Sequence, residues 1–202
     1  LEFRRVLFRS TFSKGSNSLL IVEISKKRVK TIDEISIKGI DAFMYPKWSP
    51  DGKSILITGL VNGKSDLYLY DLETGKVNQL TNDFYSDIHP SWSDDGDHIL
   101  FISERGDDTN LKKQIYGTYK LCELNVNTQK VEVIDILPGA DIYSPQYGPQ
   151  DTSIFFLSNA DGYKNLYRYD IRANQIFKLS KFSTGVTGIT DLAPTYSIAK
   201  TS

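Results

Sequence analysis

Pro46-Lys47-Trp48-Ser49-Pro50-Asp51-Gly52-Lys53 reads as the end of one strand and a tight turn into the next. Pro50 presets φ at the first corner of the turn, and Gly52 accepts the positive φ that closes it. Beyond the turn runs Ile55-Leu56-Ile57-Thr58, a short, continuous apolar stretch. A strand apolar at every position, not at alternate ones, is covered on both faces. Next comes Asp66-Leu67-Tyr68-Leu69-Tyr70-Asp71, then a turn through Thr74-Gly75 and a polar stretch, Lys76-Val77-Asn78-Gln79-Leu80. The whole segment is four antiparallel strands, the inner ones buried and the last one wet.

The pattern returns. Pro90-Ser91-Trp92-Ser93-Asp94-Asp95-Gly96-Asp97 and Pro145-Gln146-Tyr147-Gly148-Pro149-Gln150-Asp151-Thr152 repeat the opening landmark, and Pro194-Thr195-Tyr196-Ser197 begins another copy. Ile99-Leu100-Phe101-Ile102 and Ile154-Phe155-Phe156-Leu157 repeat the apolar strand. Leu121-Cys122-Glu123-Leu124-Asn125 and Asn165-Leu166-Tyr167-Arg168-Tyr169-Asp170 repeat the third strand, and Leu19-Leu20-Ile21-Val22-Glu23 is an earlier copy of it. The leucines at 19, 67, 121 and 166 are 48, 54 and 45 residues apart by subtraction. Repetition at this spacing marks an array of equivalent units. From landmark aromatic to third-strand leucine the steps are 19 (48 to 67), 29 (92 to 121) and 19 (147 to 166), so the middle unit carries ten extra residues at one place.

Four-stranded antiparallel units with doubly covered inner strands and a polar outer strand are what a β-propeller blade requires, since each blade lies between two neighbours. The fold expected is all-β, a β-propeller portion of about three whole blades with partial blades at both ends. Its units are residues 11–40 (end of a preceding blade), 41–83, 84–137 (with the insertion), 138–182 and 183–202 (start of a further blade). Propellers close with about 4–8 blades. This stretch should therefore not close alone, and its end faces would be apolar. Residues 1–10, Leu1-Glu2-Phe3-Arg4-Arg5-Val6-Leu7-Phe8-Arg9-Ser10, carry neither landmark. They read as a foreign or truncated leader outside the fold. The apolar triplet Val6 to Phe8 is too short for a signal peptide's apolar segment.

The landmarks carry a resemblance. Pro46-x-Trp48-Ser49-Pro50-Asp51-Gly52-Lys53, followed by Asp66-Leu67-Tyr68-x-Tyr70-Asp71 and Thr74-Gly75-Lys76, resembles the repeat of the six-bladed TolB-type β-propellers, relatives of the WD repeat, over roughly residues 17 to 200. The second copy lacks the proline of the turn, and the third lacks its glycine. The resemblance implies a non-catalytic scaffold that binds a protein or peptide, in a periplasmic or otherwise extracytoplasmic setting. It also admits a second reading. Propellers of prolyl-oligopeptidase and dipeptidyl-peptidase relatives have a similar repeat and gate a hydrolase domain elsewhere in the chain, and other such repeats are joined to a metallopeptidase domain.

The residues themselves offer little chemistry. The chain has 24 basic and 25 acidic residues, a net charge of −1, and no clustered basic face for nucleic acid. No apolar run reaches the roughly 20 residues of a membrane helix, so no direct membrane insertion is expected. His-Glu-x-x-His, Cys-x-x-Cys, Gly-x-Ser-x-Gly and phosphate-loop patterns do not occur. No cofactor, metal or catalytic residue is expected. The single cysteine, Cys122, sits where other copies have Tyr68 and Tyr167 and reads as a small core residue. Asp94-Asp95-Gly96-Asp97 occupies the hairpin turn and lacks the alternating ligands of a calcium loop. Arg105-Gly106-Asp107 is an integrin-like tripeptide of common residues.

One constellation recurs. Asp41, Asp87, Asp141 and Asp191 each lie three to five residues before a landmark proline, at the entry to a first strand. Two readings stand side by side: carboxylates that cap loops through nearby backbone amides, or an acidic mouth that attracts a cation or a basic peptide. The connections from second to third strand emerge on the same face, so the insertion, with Asp107, Asp108, Lys112 and Lys113, should rise there. His89, just before Pro90, joins these residues as a candidate protein-contact face.

Overall fold

The computed structural model describes residues 5–13, 16–24, 29–187 and 195–198. Three sheets have four antiparallel strands each, in sequence order. Blade II is β4 (Ala42–Trp48), β5 (Ser54–Val61), β6 (Lys64–Asp71) and β7 (Val77–Gln79). Blade III is β8 (Ile88–Trp92), β9 (His98–Ser103), β10 (Lys120–Asn125) and β11 (Val131–Ile134). Blade IV is β12 (Ile142–Tyr147), β13 (Ser153–Ser158), β14 (Asn165–Asp170) and β15 (Gln175–Lys178). Before them stands a three-stranded sheet, blade I, of β1 (Arg5–Ser13), β2 (Ser16–Ile24) and β3 (Val29–Ile35).

Blade I takes in most of the expected leader, which does not lie outside the sheets. Residues 5–10 lie inside β1, which pairs antiparallel with β2 from Arg5↔Ile24 to Ser13↔Ser16. β1 carries neither landmark of the repeat.

The landmark aromatics are equivalent. Trp48, Trp92 and Tyr147 each end a first strand and pair with the first apolar residue of the second strand: Trp48↔Ile55, Trp92↔Ile99, Tyr147↔Ile154. The continuous apolar runs also have their explanation. Side chains alternate across a strand, so neighbours in one run enter different inter-blade cores. Ile55 and Ile57 pack with Leu19, Ile21 and Ile35 of blade I, while Leu56 packs with Trp92, Ile99 and Phe101 of blade III. Leu100 and Ile102 in turn pack with Ile142, Tyr147 and Phe156 of blade IV. The first strands β4, β8 and β12 lie side by side along the inner edge of the arc. The outer strands β7, β11 and β15 have mostly half-buried or exposed residues.

The turns after the landmarks are built alike. Gly52 has φ +71° and Gly96 φ +79°. Their N–H groups donate to the carbonyls of Ser49 and Ser93 at 2.9 and 3.3 Å. The Ser49 hydroxyl donates to Asp51 and accepts from the Ser54 N–H, and Ser93, Asp95 and His98 repeat that arrangement. In blade IV, where the glycine is missing, Gln150 and Asp151 take the positive φ themselves, at 58° and 53°. Open space surrounds a side chain built on Gly52. Gly52→Val therefore isolates the backbone cost of a β-branched residue in the left-handed region, about 1–2 kcal/mol. Thermal melts should show that loss, and much less for Gly52→Asn.

Candidate protein-contact face

At one end of the blades the turns between second and third strands meet the links between blades. In blade II the hairpin is the two-residue turn Asn62-Gly63, both with positive φ, as a tight hairpin with strand-matching twist requires. The links dock against these hairpins: the Asp41 N–H donates to the Leu60 carbonyl, and the Asp87 N–H to the Ser65 carbonyl.

The first residue of the Leu-Tyr motif fastens the following link. Asp66 is buried, and it accepts from the Thr81 hydroxyl, the Asp83 N–H and the Gln79 amide. Thr81 in turn accepts the Leu67 N–H. Blade IV repeats the clasp with neutral groups, Asn165 accepting from Ser180 and the Phe182 N–H while Ser180 accepts the Leu166 N–H.

Arg105 sits at the junction of blades II and III. Its guanidinium donates to both carboxylate oxygens of Asp87, at 2.5 and 2.7 Å, and pairs with Asp83 at 3.1 Å. The Asp87 side chain is fully buried. Burial pushes its carboxyl up to about 6 against the pull of Arg105. Carboxylate oxygens of Asp66, Asp83 and Asp87 converge within 4.8 Å of one another. The positive charge among them is Arg105, so the cluster works as a buried ion-pair network. The Arg-Gly-Asp string is thereby accounted for on one side: its arginine is committed inward.

The other entry-point acids are also engaged. Asp41 accepts the Asn62 N–H at 3.1 Å. Asp141 accepts the Tyr119 N–H, the Asn159 amide and the Tyr143 hydroxyl. Asp41, Asp87 and Asp141 thus each hold a hydrogen-bond partner in or beside the loops at this end of the blades. Asp191 lies outside the described residues.

The β9–β10 connection that carries the insertion runs over residues 104–119 and is tied to itself. The Thr109 hydroxyl donates to the Glu104 carbonyl and accepts the Gly117 N–H. Asp108 accepts the Thr118 N–H at 3.0 Å and pairs with Lys120, and that bond holds its carboxyl below the ordinary range. A short 3-10 turn spans Leu111–Lys113, capped by Asn110, and Asn110 and Ile115 bridge its base. Asp107, Lys112 and Lys113 are exposed. Beside these charges, just past the short turn, the loop carries two exposed apolar side chains. Ile115 is 51% and Tyr116 66% exposed, and on the same face Phe84 is 73% and Tyr163 51% exposed. Aromatic residues left in water on a tethered loop were the available signal.

His89 stands apart from the loop, on the inner edge. Tyr45, His89 and Ser144, each directly before a landmark proline, have φ of 52°, 55° and 49°, and each marks a bulge in its first strand. The bulges touch in series: the Tyr45 and His89 rings meet edge-on at 4.4 Å, and the Ser144 N–H donates to His89 Nδ1 at 3.2 Å. Non-glycine residues in this region are costly and need surrounding structure to hold them. Cys122 is fully buried opposite Phe101, its thiol pushed up to about 12 by burial, and has no part in the face.

Side-by-side blades of four antiparallel strands, first strands innermost and links on one face, make this a β-propeller array. Residues 4–120 match the TolB beta propeller domain family, to which the chain therefore belongs. Among curated proteins it is 25% identical over 154 residues to dipeptidyl-peptidase 5 of Porphyromonas gingivalis, covering 71% of this chain and 21% of that protein. It is 32% identical over 84 residues to the Tol-Pal system protein TolB of Francisella tularensis, covering 41% of this chain and 19% of that protein. The chain thus spans about a fifth of the length of these relatives. The crystal structure of TolB from Acinetobacter baumannii superposes with a TM-score of 0.68 at 21% identity, covering 90% of this chain and 43% of that one. A puromycin-hydrolyzing peptidase of Mycobacterium tuberculosis superposes at 0.60 and 13% identity, over 83% of this chain and 25% of that one. These likenesses show the fold. No helix among the described residues is long and apolar enough to cross a membrane.

Proposed function

We propose that this chain is a non-catalytic propeller module that holds a protein or peptide on the face carrying the hairpins and links, in the cell envelope. One observation carries the reading: the insertion is anchored to its blade by Thr109 and Asp108, yet holds Ile115 and Tyr116 out in water. Ordering that loop in advance lowers the entropy cost of binding, and exposed aromatics on a rigid base suit the centre of a protein contact. Phe84 and Tyr163 extend the apolar surface, and Asp107, Lys112 and Lys113 supply a polar rim. Membership of a TolB family supports the extracytoplasmic setting and a protein partner.

A second reading has its own support: the dipeptidyl-peptidase relative matches 71% of the chain. In that case the module gates a peptidase whose catalytic domain lies outside these residues. A Gly-x-Ser-x-Gly or His-Glu-x-x-His segment encoded in the same gene favours this alternative.

Deleting residues 107–113 would remove the anchors Asp108 and Thr109 and leave Ile115 and Tyr116 without their base, so point substitutions test the leading reading better. Ile115→Ser with Tyr116→Ser should leave the melting temperature unchanged and weaken partner capture about tenfold or more. Capture at full strength by the double variant would contradict the proposed contact.

A further inference from the structure

Asp41, Asp87 and Asp141 are hydrogen-bonded, but the cations Lys47 and Lys164 have no carboxylate partner among the described residues. Lys47 lies opposite Leu56 in the β4–β5 register, on the side of blade II that faces blade III. The equivalent residue of blade IV is Gln146, opposite Phe155. Its amide is satisfied by the next copy of the repeat: it donates to the Tyr196 carbonyl and accepts the Ile198 N–H. Lys47 puts an ammonium in that place, and an ammonium has no acceptor capacity with which to take up a neighbour's N–H. Among the described residues no carboxylate lies within ion-pair distance of Lys47 or of Lys164, whose ammonium rests 3.9 Å from the centroid of the Tyr143 ring.

His89 neighbours both: its ring meets Tyr45, two residues before Lys47, and its Nδ1 takes the N–H of Ser144, next to the Tyr143 ring on which Lys164 rests. The Ser144 N–H donates to Nδ1, so Nδ1 is the acceptor and the proton is on Nε2. Nε2 makes no hydrogen bond among the described residues, and it is not sealed from solvent. Burial, with Lys164 and Lys47 nearby, lowers the imidazole to about 4, which keeps it neutral at physiological pH. The result is a fixed N–H donor on a bulge, flanked by two cations and held from behind by a backbone amide.

Resting on the reading of this module as a peptide holder, we propose that Lys47, Lys164 and the His89 Nε2–H form a carboxylate-binding site on the inner edge, which takes an acidic peptide. The carboxylate accepts from the imidazole and is neutralised by the lysines. Charge-assisted hydrogen bonds of this kind are about twice as strong as neutral ones. The carboxylate can be a peptide's C-terminus or an Asp or Glu side chain.

The probe is a fluorescent Gly-Ser decapeptide ending in Glu-Glu with a free C-terminus, compared with its amidated form, its Gln-Gln form and the form with both changes. Binding is followed by anisotropy, and the imidazole nitrogens of His89 by NMR. The free acidic peptide should bind the intact protein, weaken about tenfold in Lys47→Met and in Lys164→Met, and shift the Nε2–H resonance. Loss on amidation alone assigns the site to a C-terminal carboxylate, and loss on the Gln exchange alone to a side chain. Equal binding of the doubly neutralised peptide, or unchanged affinity in both lysine variants, overturns the proposal. If the variants fail to fold, titration of the unaltered protein with sodium acetate decides, and a motionless His89 resonance overturns it. Neither result bears on capture through Tyr116, so failure of this site is distinguishable from failure of the contact face.

Discussion

Trp92→Ala should lower the stability of the chain by about 3–5 kcal/mol, the range for truncating a buried aromatic. Trp92 ends β8 and packs with Leu56 and Leu67 of blade II and with Ile99 and Phe101 of its own blade. Its loss leaves a void in the apolar core between the two sheets. The equivalent Tyr147 sits between blades III and IV, its hydroxyl donating to Glu123 at 2.5 Å. Trp92→Tyr should therefore restore most of the shape at a smaller cost. Urea unfolding of the three proteins checks this. A loss below about 1 kcal/mol for the alanine variant would show that the landmark aromatic does not join the blades.

Asp87→Ala should cost about 3–5 kcal/mol at neutral pH, because it leaves Arg105, its side chain 12% exposed, with the half-buried Asp83 as its remaining carboxylate partner among the described residues. Asp87→Ala combined with Arg105→Met should recover much of the loss, since neither charge is then buried alone. A pH dependence separates this from simple cavity formation. The folded state raises the Asp87 carboxyl to about 6, whereas an unfolded aspartate titrates near 4. The folded chain holds that proton more tightly, so this stability is fully present below about pH 4 and is lost as pH rises through about 6. Melting temperature should fall more between about pH 5 and about pH 7 in the unaltered protein than in Asp87→Asn. Parallel profiles would contradict the shift.

The blades were legible because each depends on local signals. A continuous apolar run such as Ile99-Leu100-Phe101-Ile102 announces two covered faces, and Pro50-Asp51-Gly52 announces its turn. Counting from Trp92 to Leu121 exposed the insertion. What stayed hidden depends on partners distant in sequence. Arg105 looked like part of a chance tripeptide because Asp87 is 18 residues away. Asp66 looked like a motif letter because the link it clasps returns 15 and 17 residues later. The bulges at Tyr45, His89 and Ser144 run against local preference, since a residue before proline favours extended backbone. Their contacts run between blades, from Tyr45 to His89 and from His89 to Ser144. Glycine was the expected sign of positive φ, so Gln150 and Asp151 in the third turn went unread.

The most direct test of the contact-face account places a photo-cross-linking residue at Tyr116, on the face of the hairpins and links, and separately at Ile171, in the β14–β15 turn at the opposite end of the blades, where the Ile171 N–H donates to the Thr152 carbonyl. Both positions are exposed, at 66% and 40%. In cells producing the full-length protein, irradiation should yield a discrete protein adduct from position 116 and none from position 171. An adduct from 171 alone, or equal adducts from both, would contradict it.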